Sequence, residues 1–241
     1  MTLFVGTSGW ADKEWKPEVY PLDLPQKRYL EHYGQQLSAC EINATFYRVQ
    51  ERSTIEKWTR AVPDGFRYSI KAHRRITHSR SMAPDESWRR VFDEFRDSIT
   101  PFGDKLGALL LQYPPHRERD DDSLRAVIDA FPDAIRLAFE FRNDSWNDDE
   151  VRRTIADSGG TVCVSDTIGD PPPALPPGPL AYIRLRTERY TPEQRDAWLD
   201  LLLREAETRD VFAFSKHEGI PTADEFGGVG LAQWLNARAT A

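Results

Sequence analysis

Leu137-Ala138-Phe139-Glu140-Phe141-Arg142, followed by Asn143-Asp144-Ser145-Trp146, is the stretch whose reading decides the fold. Leu137, Phe139 and Phe141 alternate with Ala138, Glu140 and Arg142, which is the period of a β-strand. Three apolar side chains then share one face, and a small residue, a carboxylate and a guanidinium share the other. Helix-like segments flank this strand on both sides. A strand inside a β/α alternation is covered on both faces and normally reads apolar throughout. Two charges at its C-terminal end therefore need a polar pocket, and a barrel supplies one where strands end and βα loops begin. A plain Glu140–Arg142 ion pair is the simpler explanation of the same charges.

Outward from that strand, strand and helix alternate along the chain. Strand one is Leu3 to Gly6, ending in Thr7-Ser8-Gly9 and Trp10. A helix near Gln26–Leu37 leads to strand two, Ala39 to Asn43. A helix at Ser53–Ala61, with Ser53 as its cap, leads to strand three, Phe66 to Ala72. The loop from Arg74 to Pro84 is basic, and a helix from about Asp85 to Ile99 carries Trp88, Phe92 and Phe95 at helical spacing. Strand four, Gly107 to Gln112, stops at Tyr113-Pro114-Pro115, and the fourth helix follows the acidic stretch Asp120-Asp121-Asp122-Ser123. After strand five comes a helix at about Asp148–Ser158, closed by Gly159-Gly160. Strand six is Thr161 to Val164, ending in Ser165-Asp166. Six prolines between Thr167 and Pro179 forbid a helix, so a stiff loop replaces the sixth one. Strand seven, Ala181 to Leu185, a helix at Pro192–Thr208, strand eight, Val211 to Phe214, and a helix near Leu231–Ala239 complete the pattern. With no linker or repeat, the expectation is one domain over residues 1–241: an α/β fold, a single parallel TIM-type (β/α)8 barrel. An open doubly wound sheet fits less well, because no glycine-rich phosphate fingerprint follows strand one.

Composition narrows the function classes. The 241 residues match one such barrel. No apolar run approaches the roughly 20 residues needed to cross a bilayer, so no membrane is expected. Met1 to Gly6 lacks the basic segment of a signal peptide. The net charge of −7, from 32 Lys+Arg against 39 Asp+Glu, disfavours wholesale nucleic-acid binding but leaves room for a local basic patch. The two cysteines, Cys40 and Cys163, fall in strands two and six on opposite sides of a barrel. They read as small buried side chains in a reducing cytoplasm.

Polar residues gather at or just after the strand C-termini, while the strand beginnings are mostly apolar or small. Glu41, Glu140 and Asp166 are the candidate acid/base groups. Lys71, Arg142 and Arg184 are candidate anion ligands, because the excess of fixed positive charge suits phosphate or carboxylate. Ser8, Trp10, Asn43, His73, Gln112 and Trp146 complete the candidate binding set, although for Trp10 and Trp146 loop packing is the favoured reading over stacking on a sugar or base. Trp58, Trp88, Trp198 and Trp234 lie in helices and read as core-facing. Of five histidines only His73, His78 and His217 approach the mouth, and none has a paired ligand spacing. No cofactor is therefore expected. The alternative is one Mg2+ or Mn2+ held by Glu41, Glu140 and Asp166.

Several short motifs in order complete the reading. Gly6-Thr7-Ser8-Gly9-Trp10, Glu41-Ile42-Asn43-Ala44-Thr45-Phe46-Tyr47-Arg48, Lys71 with Ile76-Thr77-His78, and Leu111-Gln112-Tyr113-Pro114-Pro115 come first. Glu140-Phe141-Arg142 with Ser145-Trp146, Ser165-Asp166 and Tyr182-Ile183-Arg184 follow. Together they resemble the domain of unknown function 72 family, also called YecE-like, over nearly the whole chain. The resemblance implies a TIM-type barrel and no settled activity; its likeness in fold to xylose-isomerase-like and endonuclease-IV-like barrels brings in nucleic-acid processing. The chain departs from the family at Arg184-Leu185-Arg186-Thr187 and Phe214-Ser215-Lys216-His217, so the resemblance assigns no role to Arg186, Lys216 or His217. The leading expectation is an enzyme acting on a small phosphorylated or anionic substrate. A metal-dependent phosphodiesterase or nuclease and a noncatalytic ligand-binding barrel are the alternatives.

Overall fold

The computed structural model describes residues 1–216 and 218–239. Nine parallel strands form one sheet among these residues: β1 (Leu3–Thr7), β2 (Ala39–Ile42), β3 (Arg67–Lys71), β4 (Leu106–Tyr113), β5 (Leu137–Phe141), β6 (Thr161–Val162), β7 (Val164–Asp166), β8 (Leu180–Leu185) and β9 (Asp210–Ser215). Their order is β6-β5-β4-β3-β2-β1-β9-β8-β7. The two ends of that order are consecutive in the chain, so the sheet closes on itself. The sixth barrel strand is split at Cys163. Its first half is registered on β5 (Phe139 opposite Val162) and its second on β8 (Val164 opposite Ile183). The Cys163 amide still donates to the Phe139 carbonyl at 2.8 Å. Eight strand positions in sequence thus become nine strands around one barrel, with parallel pairing throughout.

The helices are α1 (Tyr29–Gln36), α2 (Ala44–Tyr47), α3 (Arg52–Ala61), α4 (Arg74–Thr77), α5 (Glu86–Ile99), α6 (Asp121–Ala130), α7 (Asp149–Asp157), α8 (Pro192–Ala206) and α9 (Gly228–Ala239). Acidic caps start three of them as the sequence requires: Asp85, Asp120 and Asp148 accept from the amides of Trp88, Ser123 and Glu150. The serine cap expected at Ser53 is absent. Helix α3 begins one residue earlier, at Arg52, with Glu51 before it and no side-chain cap bond. No helix lies between β7 and β8, where the proline-rich segment runs.

Two apolar layers follow from strand alternation. Leu137 and Phe139 face outward into the large core between barrel and helices, with Phe141 packed against it, whereas Ala138 faces the barrel interior with Phe4, Leu110, Tyr182, Phe212 and Phe214. The N-terminal end of that interior is plugged. Phe4 stacks on Phe212 at 5.0 Å, Arg67 lies over the Phe4 ring, and Arg136 lies over Phe212 while bonding Asp210 at 2.8 Å. With this end filled by rings and guanidinium groups, the interior opens only where the strands end. The Gly6 of β1 has no alternative: a Cβ there would come within 1.9 Å of the Ala39 carbonyl oxygen on β2. Cys40 faces the outer core and Cys163 the interior, both as free thiols. No helix among the described residues is long and apolar enough to cross a membrane.

Candidate functional site at the barrel mouth

Inward-facing residues at the C-terminal ends of β2, β3, β4, β5 and β8 meet in one hydrogen-bonded network. Arg184 is its hub. Its two terminal nitrogens donate to Glu140 Oε2 at 2.6 Å and Glu41 Oε1 at 2.9 Å. All three side chains are almost fully buried, with exposures of 4% for Arg184, 5% for Glu140 and 0% for Glu41. Burial alone would make this guanidinium shed its proton more easily, but Glu41 and Glu140 more than reverse that and hold its pKa above the ordinary value. The remaining carboxylate oxygens are also used. Tyr182 donates to Glu41 Oε2 at 2.8 Å and shares a 2.5 Å hydrogen bond with Ser69. Asn43 donates to Glu41 Oε1 at 3.2 Å, and Gln112 donates to Glu140 Oε1 at 2.8 Å. A buried ionic triad is tolerable only when its lone pairs are satisfied in this way.

Lys71 extends the network upward. Its Nζ donates to Gln112 Oε1 at 2.7 Å and lies 4.2 Å over the Phe46 ring. Burial, then the neighbouring Arg184, lowers its pKa to about 8; Glu41 and Glu140 offset part of that shift and Arg142 adds to it. The main chain of Lys71 is tied down because Thr45 Oγ1 donates to its carbonyl at 2.7 Å. Above these groups an open cleft of about 750 Å3 is walled by Lys71, Glu140, Arg142, Arg184, Arg186 and Lys216, among others. It is electrostatically unbalanced. Five cations, Lys71, Arg142, Arg184, Arg186 and Lys216, meet three carboxylates: Glu41 beneath Arg184, Glu140 beside it, and the exposed Glu188 at 3.4 Å from Lys216.

The structure brings together seven of the expected site residues: Glu41, Asn43, Lys71, Gln112, Glu140, Arg142 and Arg184. Ser8 sits beside them, its carbonyl accepting from Asn43 at 3.4 Å and its buried hydroxyl without a partner. Four others lie elsewhere. Asp166 is on the opposite parity from Cys163 and Ser165, so it points out of the barrel. Its carboxylate accepts from the amides of Ile168 and Gly169, from Thr187 and from Tyr190. It anchors the start of the proline-rich segment, which Trp198 also holds through the Gly169 carbonyl at 2.9 Å. His73 turns its ring to the outside, where Nδ1 accepts from the Arg75 amide and caps α4. Trp10 packs edge-on against Trp58 at 5.3 Å. Trp146 stacks on Phe141 at 4.2 Å and donates to the Arg117 carbonyl, so it is loop packing. His217 lies outside the described residues.

Arg142 reaches Glu140 only at 3.4 Å and is half exposed, so the Glu140–Arg142 pair expected from sequence is secondary to Glu140–Arg184. Tyr182, Ser69, Phe46, Arg186 and Lys216 join the site beyond the candidate set. Period-two counting from Arg184 reaches Tyr182 and Arg186, and counting from Phe214 reaches Lys216. Phe46 had no comparable signal. Among the described residues, no group of three or more His, Cys, Asp or Glu is placed to hold a metal ion. The proposed trio Glu41, Glu140 and Asp166 does not assemble, and Arg184 occupies the space between the two glutamates.

The protein of unknown function family DUF72 matches residues 4–226. The chain belongs to this family. This DUF72 protein is 32% identical over 150 residues to the UPF0759 protein YunF of Bacillus subtilis, a segment covering 60% of the chain and 52% of YunF; the match therefore spans about half the length of that relative. Among solved structures it is similar to a DUF72 protein of Thermotoga maritima, with a TM-score of 0.77, 20% identity and full coverage of both chains. A DUF72 protein of Enterococcus faecalis gives a TM-score of 0.76 at 15% identity, covering 98% of this chain and 94% of the other. A D-psicose 3-epimerase solved in the presence of D-fructose shares the barrel at a TM-score of 0.52 and 13% identity, covering 100% of this chain and 97% of its own. These likenesses establish an α/β barrel of the TIM type.

Proposed function

We propose that this DUF72 protein is an enzyme whose barrel mouth takes a small phosphorylated or carboxylated molecule. The supporting observation is the charge imbalance of the cleft, where five cationic side chains meet three carboxylates, two of them, Glu41 and Glu140, already engaged by Arg184 and the third, Glu188, exposed beside Lys216. Arg142, Arg186 and Lys216 stand at the exposed rim, with side-chain exposures of 52%, 19% and 29%, and can turn to an anion with little loss of existing bonding. Lys71, poised to lose its proton near neutral pH, is the group suited to acid/base work, with Glu140 as the nearest carboxylate reached through Gln112. Glu41 and Glu140 are bridged by the Arg184 guanidinium, and no step is routed through a metal there.

The test is a set of thermal melts with inorganic phosphate, sulfate and glycerol 3-phosphate against glycerol at matched ionic strength. An anion at about 100 times its Kd adds about 2.7 kcal/mol and raises Tm by several degrees. Glycerol should do nothing, and Lys216→Glu combined with Arg186→Glu should remove the shift. Equal melts in all four solutes overturn the reading.

A nucleic-acid surface is the second reading, and one observation favours it. Arg74, Arg75 and Arg80 line an outer groove of about 700 Å3 with His78, whose pKa is lowered by burial and by Lys71 and Arg142 at the mouth. A salt-dependent oligonucleotide shift lost on Arg74→Ala and Arg80→Ala together would support it.

A further inference from the structure

The five mouth cations are not alike. Arg184 sits on Glu41 and Glu140, Arg142 lies 3.4 Å from Glu140, Arg186 lies 3.8 Å from Glu41, and Lys216 lies 3.4 Å from Glu188. Lys71 alone has no carboxylate partner among the described residues. Its Nζ is held by the amide oxygen of Gln112, 2.7 Å away, against the face of Phe46. The orientation of that amide is dictated, because its nitrogen must donate to Glu140 at 2.8 Å. An amide oxygen accepts a hydrogen bond from a neutral amine as well as from an ammonium, the ammonium bond being the stronger, so the neutral form keeps a partner. A carboxylate in its place would lock the ammonium form. The site therefore holds an amine in position without insisting on its proton.

We propose that Lys71 is a nucleophile that forms an imine with the carbonyl carbon of an aldehyde or ketone carrying a phosphate or carboxylate. This deepens the anionic-ligand reading of the mouth and rests on it. The β3 wall that carries Lys71 lies across the barrel from the β8 and β9 walls that carry Arg186 and Lys216. An anion on those guanidinium and ammonium groups leaves the other end of a short molecule facing Lys71. The neutral amine attacks the carbonyl carbon and the carbonyl oxygen takes up a proton, giving a carbinolamine. That hydroxyl then leaves as water with the proton lost from nitrogen, so one C=O and one N–H2 become C=N and H2O. No oxidant, reductant or metal is needed. With its pKa at about 8, roughly a tenth of the amine is neutral at pH 7, far more than for an ordinary lysine. The Nε of Arg184, buried without a partner, is a further polar atom beside this space.

The experiment incubates the protein with glycolaldehyde phosphate and sodium cyanoborohydride, followed by intact mass and peptide mapping. Neutral glycolaldehyde is the matched probe without the anion. Melts with glycerol 3-phosphate, which has no carbonyl, are run in parallel on wild type and Lys71→Arg. The expected result is one reduced adduct, on Lys71, formed about tenfold faster with the phosphorylated probe than with glycolaldehyde. Lys71→Arg, which keeps the charge, should lose the adduct and keep the glycerol 3-phosphate shift. A glycerol 3-phosphate shift with label scattered over other lysines overturns the imine and leaves the anion site standing. Equal labelling of Lys71 by both probes overturns the anionic substrate class. Neither shift nor adduct removes both.

Discussion

Glu140→Gln probes the network where its bonds are most constrained. Glu140 accepts from Arg184 at 2.6 Å, Gln112 at 2.8 Å and Arg142 at 3.4 Å, and is 5% exposed. The glutamine amide can keep an oxygen towards Arg184 only by turning its NH2 towards Gln112. Gln112 must then flip, and its own NH2 meets Nζ of Lys71, so one mismatch is passed along the chain. Losing a charge-assisted bond costs roughly 1.5–3 kcal/mol, and leaving a buried guanidinium with one carboxylate instead of two adds to it. The sum is about 2–4 kcal/mol, or a Tm lower by roughly 5–15 °C for a chain of this size. Arg142→Gln should cost less than about 0.5 kcal/mol, because Arg142 is half exposed and its contact is long. Urea unfolding and melts of both variants at pH 7 measure the difference. A Glu140→Gln loss below about 1 kcal/mol, or one matched by Arg142→Gln, would refute the assignment of Arg184 as the principal partner.

Three further outcomes are expected. Between pH 7 and pH 10.5 the stability of wild type should rise relative to Lys71→Met by on the order of 1–2 kcal/mol, discounted for solvent screening of a half-buried amine. The folded pKa of about 8 lies below the ordinary 10.5, so the unfolded chain binds the proton more readily between those values; wild-type stability climbs with pH across that window, a slope that Lys71→Met lacks. Urea midpoints at pH 7 and pH 10.5 check this, and a wild type that loses ground to the variant as pH rises would contradict it. Asp166→Asn should cost about 1–3 kcal/mol, since one of four donors to its carboxylate would meet an NH2; phosphate-induced Tm shifts should be unchanged, and their loss would return Asp166 to the site. Gly6→Ala should abolish soluble folded protein, because backbone of β2 occupies the space of the new Cβ; a normal circular dichroism melt would refute that contact.

Legibility of the fold and of the site divides along one physical line. The alternation in Leu137–Arg142 identified both faces of β5, and the same parity holds for β2, β4 and β8, so Glu41, Gln112, Glu140 and Arg184 converge as expected. The barrel was readable because strand period and helix caps are local. Asp166 lies near a strand end, but parity decides its side: with Cys163 inward, Ser165 also faces in and Asp166 faces out. The split at Cys163 depends on pairing with β5 on one side and β8 on the other, a nonlocal choice. Trp10, Trp146 and His73 follow strand ends in sequence, yet ring packing and a cap bond hold them away from the mouth network. That Arg184 bridges two glutamates, leaving Lys71 on an amide, needs three-dimensional register across opposite walls of the barrel and has no short-range signature.

The anionic character of the ligand is tested most directly by crystals grown with tungstate and examined by anomalous difference density. The account predicts one strong peak inside the mouth, within hydrogen-bond reach of at least two of Arg142, Arg186 and Lys216. Peaks confined to the outer groove of Arg74 and Arg80, with the mouth empty at saturating tungstate, would contradict it.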